Sequence, residues 1–114
     1  MLKKILELQE KGCTFAVCTV VDIKGSTPAR VGMKMICFPD GTQQGTIGGG
    51  NLEKTSFETA LEYLKVGKTG LEMLALAELN MTCGGSVKVY IESFKSKSRV
   101  VLQNLLPHKD LLNS

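Results

Sequence analysis

The sequence predicts an α/β fold of the α+β type: one domain with a mixed β-sheet, an N-terminal helix and a second helix after three consecutive glycines. Three observations support this prediction. Two of them are strand patterns: an apolar and β-branched run over residues 14–21, and an alternation of apolar and polar residues over residues 86–94. The third is helical spacing of apolar residues over residues 2–11 and again after the glycines. With 114 residues, 43% of them hydrophobic, the chain can bury one core.

The first helix is predicted over residues 2–11, where Leu2, Ile5 and Leu8 recur at helical spacing and Gly12 supplies a stop. The run over residues 14–21 follows. Because it is apolar on both faces, we expect a strand in the middle of the sheet.

A loop is predicted next, over residues 24–32, which contain Gly25, Pro28 and Gly32. A strand over residues 33–38, a turn at Pro39-Asp40-Gly41-Thr42 and a short returning strand over residues 43–47 then form a hairpin.

The second helix is expected to start after Gly48-Gly49-Gly50, with Asn51 as its N-cap, and to end near Gly67. Residues 71–77 are strand-like, although Leu, Ala and Glu also favour a helix. Residues 86–94 form a half-exposed strand.

The composition changes after the last strand. We therefore divide the chain into a domain over residues 1–94 and a linker with a C-terminal tail over residues 95–114. The tail carries several leucines and valines, so it is either a helix packed on its own domain, which we favour, or a partner-binding segment.

Composition argues against several classes of protein. The net charge is +3, aromatic residues make up 5% and tryptophan is absent, so nucleic-acid binding is not expected. No apolar run is long enough to span a membrane and the N-terminus lacks a secretory pattern, so we expect a cytoplasmic protein. Cys13, Cys18, Cys37 and Cys83 have no metal-site spacing and His108 is the single histidine, so no metal site is expected.

The glycine turn, residues 48–50, is the first candidate site. Backbone N–H groups at the start of a helix lack intrahelical partners and favour an anion. A tight turn without a ligand explains the three glycines equally well. Glu53 stands where a phosphate-binding P-loop and the dinucleotide fingerprint each require glycine, so neither motif is present.

Two further segments are candidates. The arginine loop, residues 25–32, offers Ser26 and Arg30, and a guanidinium binds phosphate through paired N–H groups; an exposed surface arginine is the alternative. The thiol segment, residues 82–85, places Cys83 beside Gly84 and Gly85, where a thiol is accessible if it is not simply buried in a turn.

Taken in order, these segments resemble the XdhC/CoxI family of xanthine dehydrogenase accessory factors. The resemblance covers residues 14 to about 93. The motifs that carry it are Thr19-Val20-Val21, Gly25-Ser26-x-Pro28, Gly32-x-Lys34-Met35, Asp40-Gly41, Gly45-Thr46-Ile47-Gly48-Gly49-Gly50-x-Leu52-Glu53 and Cys83-Gly84-Gly85.

The resemblance implies a maturation factor, or chaperone, that binds molybdenum cofactor (molybdopterin) transiently and delivers it to the apo-enzyme of a molybdenum hydroxylase of the xanthine dehydrogenase or CO dehydrogenase type. In that picture the cofactor-binding residues are Ser26, Arg30, Gly48, Gly49, Gly50, Asn51, Glu53, Gly84 and Gly85, with the glycine turn at the anionic end of the cofactor. Glu53 orients the loops by hydrogen bonds, and Cys83 lies near the metal or its dithiolene. The further partners are a cysteine desulfurase and a separate Rossmann-type protein, and a homo-oligomer is left open.

The chain departs from the family pattern at two positions. Ala29 stands between Pro28 and Arg30, and Asn51 stands where the family often has cysteine. Two alternatives to a non-enzymatic chaperone therefore stay open: a sulfur-transfer enzyme that uses Cys83 as its catalytic thiol, and an assembly module that binds a hydroxylase through its tail.

Overall fold

The computed structural model describes residues 1–81 and 84–95. Two helices, five strands and one short 3₁₀ helix follow one another in these residues. In chain order they are α1 (Leu2–Glu10), β1 (Phe15–Lys24), β2 (Lys34–Cys37), β3 (Gln43–Gly45), α2 (Gly50–Val66), β4 (Gly70–Ala75), the 3₁₀ helix (Leu76–Leu79) and β5 (Ser86–Phe94). The predicted α+β class is confirmed. The predicted tail lies outside the described residues.

The five strands form one sheet in the order β3-β2-β1-β5-β4. Every neighbouring pair of the described strands is antiparallel, where the sequence predicts mixed pairing. The reason lies in α2, which carries the chain from β3 at one edge to β4 at the other. A helix that returned the chain to the same edge would have made a parallel neighbour.

The central position predicted for β1 is confirmed, because its first six residues are buried on both faces of the sheet. One face packs beneath α2, with Val20, Val89 and Ile91 among its buried residues and Leu52 and Ala60 from the helix. At its start, β1 also pairs with the end of β5, where the rings of Phe15 and Phe94 stack with their centroids 4.8 Å apart.

On the opposite face, α1 covers one end of the sheet. Its Ile5 and Leu8 are buried against Phe15, Val17 and Ile36. This second cluster is separate from the core beneath α2, so the two helices cover different faces of the sheet. Among the described helices, none has the length and apolar character needed to cross a membrane.

The predicted helix ends at Gly12 and Gly67 are both confirmed. Gly12 follows α1 with φ +72°, and Gly67 caps α2 in the left-handed conformation with φ +68°. The N-cap of α2 is different from the one predicted. Gly49 occupies that position, and the side-chain amide of Asn51 instead donates to the carbonyl of Leu79 at 2.7 Å. Asn51 therefore joins α2 to the 3₁₀ helix.

A second polar contact joins α2 to β4. The hydroxyl of Tyr63 donates to the carboxylate of Glu72, and Lys68 lies over the Tyr63 ring, 4.8 Å from its centroid. Burial and the neighbouring Glu72 raise the pKa of Tyr63 to about 12, so this hydroxyl keeps its proton at neutral pH.

The cysteines of β1 and β2 are core residues. Cys18 and Cys37 are fully buried beneath α2, with their sulfur atoms 4.0 Å apart. The hydrogen bond with Cys37, together with burial, raises the pKa of the Cys18 thiol. Such a thiol is protonated and unreactive at neutral pH.

Ser56 lies beside this pair on α2, and its hydroxyl is buried with no hydrogen-bond partner among the residues that the structure describes. Because an unpaired buried hydroxyl costs free energy and alanine favours helices more than serine does, we expect Ser56→Ala to leave the free energy of unfolding unchanged or to raise it by up to about 1 kcal/mol. Urea denaturation measures this change.

Ser93→Ala is the matched control, since the Ser93 hydroxyl donates to the carbonyl of Lys68 at 2.7 Å. That variant should lower the free energy of unfolding by about 0.5–1 kcal/mol. A loss of more than about 1 kcal/mol in Ser56→Ala would show that its hydroxyl has a stabilising partner.

Candidate functional site

The arginine loop lies between the other two candidate segments and contacts both of them. Gly48 of the glycine turn packs on the backbone of Ala29, so closely that a Cβ at residue 48 would lie 3.2 Å from the Ala29 nitrogen. On the other side, the amide of Gly85 donates to the carbonyl of Ser26 at 3.0 Å. Segments that are far apart in sequence are therefore neighbours, as a shared site requires.

The glycine turn needs glycine for conformational reasons. Gly48, Gly49 and Gly50 have φ values of +121°, +78° and +62°, which side chains rarely adopt. Gly50 is also close to Met81, because a Cβ there would meet the Met81 methyl carbon at 3.0 Å. A Cβ at Gly49 would have no described atom within 4 Å outside its own chain neighbours, so this residue faces open space.

Glu53, in the first turns of α2, reaches back into the glycine turn with its carboxylate. Its Oε2 accepts hydrogen bonds from the amides of Ile47 and Gly49, both at 3.1 Å, and from the hydroxyl of Thr46 at 2.5 Å. Its Oε1 accepts one from the side-chain amide of Gln43 at 2.7 Å. Glu53 thus ties β3 and the turn to the helix, in agreement with the orienting role expected for it.

The charge of Glu53 is stabilised by these four donors. Burial, the largest single contribution, raises the pKa of Glu53, but the hydrogen bonds from Thr46, Gln43 and the two backbone amides outweigh it. The pKa of Glu53 therefore lies below its ordinary value, and the side chain is an anion at neutral pH.

Fewer backbone amides of the glycine turn are available to an anion than the sequence predicts, because two of them already have an acceptor. The amide of Gly49 is bonded to Glu53, and that of Gly48 donates to the Thr46 hydroxyl at 3.1 Å. The first intrahelical bond of α2 runs from the amide of Glu53 to the carbonyl of Gly49. The amides of residues 50–52 precede it, so they are the N–H groups without an acceptor within the helix.

Arg30 is exposed and folded against its own loop. Its Nη1 donates to the carbonyls of Thr27 at 3.1 Å and Ala29 at 2.9 Å. The loop is stiffened further by the Thr27 hydroxyl, which accepts from the amide of Ala29 at 3.1 Å. The guanidinium thus lies on the loop that packs on the glycine turn, and no bond in the described residues joins it to the turn itself.

Only the second half of the thiol segment is described. Thr82 and the predicted catalytic Cys83 lie outside the described residues, whereas Gly84 is exposed and Gly85 is buried. A Cβ at Gly85 would lie 2.5 Å from the carbonyl oxygens of Lys24 and Ser26. Close backbone packing therefore explains Gly85 without any ligand.

Sequence reasoning missed two donors, Gln43 and Thr46, and a groove next to them. The open groove has a volume of about 380 Å³ and is lined by Gly41, Gln43, Gly50, Glu53, Lys54, Phe57 and Glu58. Thr46 stands seven residues before Glu53 in the same motif as the glycines. This closeness in sequence was the signal that could have identified Thr46 as a partner of Glu53. No cluster of metal-binding side chains occurs in residues 1–81 and 84–95.

Comparison with known proteins identifies the family. The family model described as XdhC and CoxI family matches residues 8–75, more than half of the chain. The chain belongs to the XdhC and CoxI family. The matched stretch includes the arginine loop and the glycine turn with Glu53, and it ends before the thiol segment.

Two longer proteins resemble this family member. The uncharacterized protein YqeB of Escherichia coli (strain K12) is 36% identical over 101 residues, which cover 84% of this chain and 18% of YqeB. A crystal structure described as a xanthine dehydrogenase from Bacillus halodurans matches 97% of this chain and 34% of its own, with a TM-score of 0.68 and 22% identity, and so shows a shared fold. The chain thus spans less than a fifth of YqeB and about a third of the Bacillus halodurans protein.

The Glu53 contacts predict a pH-dependent contribution to stability. Because the pKa of this carboxyl is lowered in the folded state, its contribution is fully present above the ordinary pKa of 4.5 and is lost as the pH falls through the folded value. We expect Glu53→Gln to lower the free energy of unfolding by about 1 kcal/mol at pH 7, a value discounted for partial exposure. The difference between the two proteins should shrink below pH 4.5.

Glu58→Gln is the control, since it neutralises a carboxylate on the same helix and the same groove. Urea denaturation at pH 7 and pH 3 measures both variants. A Glu53→Gln difference that is the same at both pH values would contradict the role of the carboxylate charge.

The packing around Gly84 and Gly85 predicts that alanine is tolerated at residue 84 and destabilises the protein at residue 85. Gly85→Ala places a methyl group against two carbonyl oxygens and should lower the free energy of unfolding by about 2–3 kcal/mol. Gly84→Ala, with no described atom within 4 Å of its Cβ outside its chain neighbours, should change it by less than about 1 kcal/mol. Thermal unfolding of both variants checks this; equal losses would contradict the packing explanation.

Proposed function

We propose that this chain is a maturation factor that holds molybdenum cofactor for a molybdenum hydroxylase of the xanthine dehydrogenase type. Two findings support the proposal: membership of the XdhC and CoxI family, and the packing of the arginine loop between the glycine turn and the thiol segment. The observation that carries it is the start of α2, where the amides of residues 50–52 precede the first intrahelical hydrogen bond and so have no acceptor within the helix.

The chemistry at the start of α2 fits the anionic end of the cofactor. Two backbone amides, one hydroxyl and one side-chain amide bind the Glu53 carboxylate and so fix the shape of the turn. Phosphate oxygens accept hydrogen bonds from backbone amides such as those of residues 50–52. Positive groups lie close by, since Lys54 lines the adjacent groove and the start of α2 contributes a partial positive charge.

Each segment then has a separate task. The amides of residues 50–52 point at the anion, and Glu53 keeps the turn in shape by holding Thr46 and Gln43. Arg30 and Ser26 close over the ligand from the arginine loop, with Gly84 and Gly85 at the far side. When bound, the cofactor supplies the molybdenum centre that the hydroxylase uses; the chain itself binds and releases it.

The proposed partner is the apo-form of a molybdenum hydroxylase, and the proposed location is the cytoplasm. The protein is then an accessory factor, and no bond need be broken by its own residues.

Binding of purified molybdenum cofactor under anaerobic conditions tests the proposal. Gly49→Ala adds a methyl group at an open position of the glycine turn, and Arg30→Ala removes the guanidinium. Each should weaken binding by tenfold or more, as measured by the quenching of pterin fluorescence.

Gly67→Ala is the matched control for Gly49→Ala, because Gly67 also has a positive φ and open space around its Cβ but lies at the far end of α2. It should lose less thermal stability than Gly49→Ala, because the αL conformation of Gly67 (φ 68°, ψ 37°) admits alanine more readily than that of Gly49 (φ 78°, ψ −172°), and it should keep the parent affinity. Thermal unfolding confirms that each variant is folded at the temperature of the binding measurement. Absence of saturable binding by the parent, or equal affinity of the parent and all three variants, would refute the proposal.

A further inference from the structure

The strand β4 forms one edge of the sheet and lacks the features that usually protect such an edge. In the described residues its pairing partner is β5, and all six residues from Gly70 to Ala75 pair without a register shift. The strand contains no proline, no lysine and no bulge. Its one charged residue, Glu72, is bound by the Tyr63 hydroxyl. A regular edge strand without lysine or proline is able to pair with another strand.

The side chains of β4 alternate between two different environments. Glu72 lies on the α2 face, where the Tyr63 hydroxyl binds its carboxylate. Leu71 and Met73 lie on the opposite face and are 57% and 59% exposed. Because α1 covers the other end of that face, these two large apolar side chains are left at the surface beside Tyr90 and Lys88.

The opposite edge of the sheet is different. Strand β3 has only three residues and ends at Gly45, with φ +85°, packed against the backbone of Lys34 and the side chain of Met1. The chain then enters the glycine turn. Strand β3 is too short to form many backbone hydrogen bonds with an added strand. Of the two edge strands, we therefore expect β4 to be the one that pairs.

We propose that β4 pairs antiparallel with β4 of a second copy of this chain, around a two-fold axis at Met73. The sequence of the strand favours itself as a partner. In this register Met73 lies opposite Met73 of the other copy, Leu71 lies opposite Ala75, and Glu72 lies opposite Leu74, so each face stays continuous.

Two antiparallel registers would pair most of the residues of β4, one with its two-fold axis at Glu72 and one at Met73. Charge favours the axis at Met73. An axis at Glu72 would place two carboxylates directly opposite each other, which is unfavourable. An axis at Met73 separates them and aligns four exposed apolar side chains along one face. The product is a two-fold symmetric dimer with a continuous ten-stranded sheet. This inference is independent of the proposed function, since it uses a different part of the molecule.

The oligomeric state of the full chain tests the proposal. By analytical ultracentrifugation at 100 µM the parent should sediment as a dimer, and Met73→Lys as a monomer. Val66→Lys is the matched control: Val66 is also a large exposed side chain, 74% accessible, but it lies on α2. This variant should remain dimeric. Thermal unfolding confirms that each variant is folded.

Cross-linking tests the register. In a background with Cys13→Ser and Cys83→Ser, Met73→Cys should form a disulfide-linked dimer on mild oxidation with oxidised glutathione, in which two thiols lose two protons and two electrons to the glutathione disulfide. Leu71→Cys should not, because the two Leu71 positions are about 13 Å apart in this pairing.

A monomeric parent, or a dimer that Met73→Lys leaves intact, would overturn the proposal. A dimer that cross-links through Leu71→Cys and not through Met73→Cys would overturn the register and the dimer built on it.

Discussion

The architecture around the candidate site depends on the partly exposed carboxylate of Glu53. It accepts four hydrogen bonds, which come from β3, from the two residues before the glycine turn and from the turn itself. Three glycines with positive φ have little conformational preference of their own. The Glu53 contacts supply the preference, and they do so with an anion at the place where a helix start favours one.

Backbone contact is the second constraint on these loops. Gly48 lies against Ala29, and Gly25 and Gly85 lie against each other, at distances that leave no room for a side chain. Glycine therefore has two different functions within one site. At Gly49 it allows a backbone conformation and leaves open space, whereas at Gly85 it allows two segments to touch. A motif rich in glycine is thus only partly a ligand-binding motif.

The sequence predicted the class of the fold and most of its elements, because these depend on local patterns. Residues 14–21 are apolar on both faces and form the central strand, and Gly12 and Gly67 end helices through their own conformational freedom. The antiparallel pairing was not predictable in this way, since it depends on where α2 carries the chain after β3. The N-cap was also misassigned, because Asn51 finds a partner 28 residues away.

The candidate site shows the same division. Proximity of the three segments was expected from the family resemblance, and the structure shows contacts between the described parts of those segments. The occupation of the Gly48 and Gly49 amides was not expected, because it depends on a side chain in the next helix and on Thr46. The sequence suggested that Glu53 forms hydrogen bonds to the loops. Coordinates were needed to see that these bonds occupy the Gly49 amide and leave the amides of residues 50–52 as the ones that precede the first intrahelical bond.

The edge strand and the candidate site are connected through a short stretch of chain. Immediately after β4, the 3₁₀ helix presents the carbonyl of Leu79 to the side chain of Asn51, and the methyl carbon of Met81 lies beside Gly50. Residues that continue directly from the sheet edge thus contact the first turn of α2. One 3₁₀ turn separates β4 from these contacts. Because they come from residues next to β4 in the chain, the course of the chain after this edge determines which residues pack against the start of the helix.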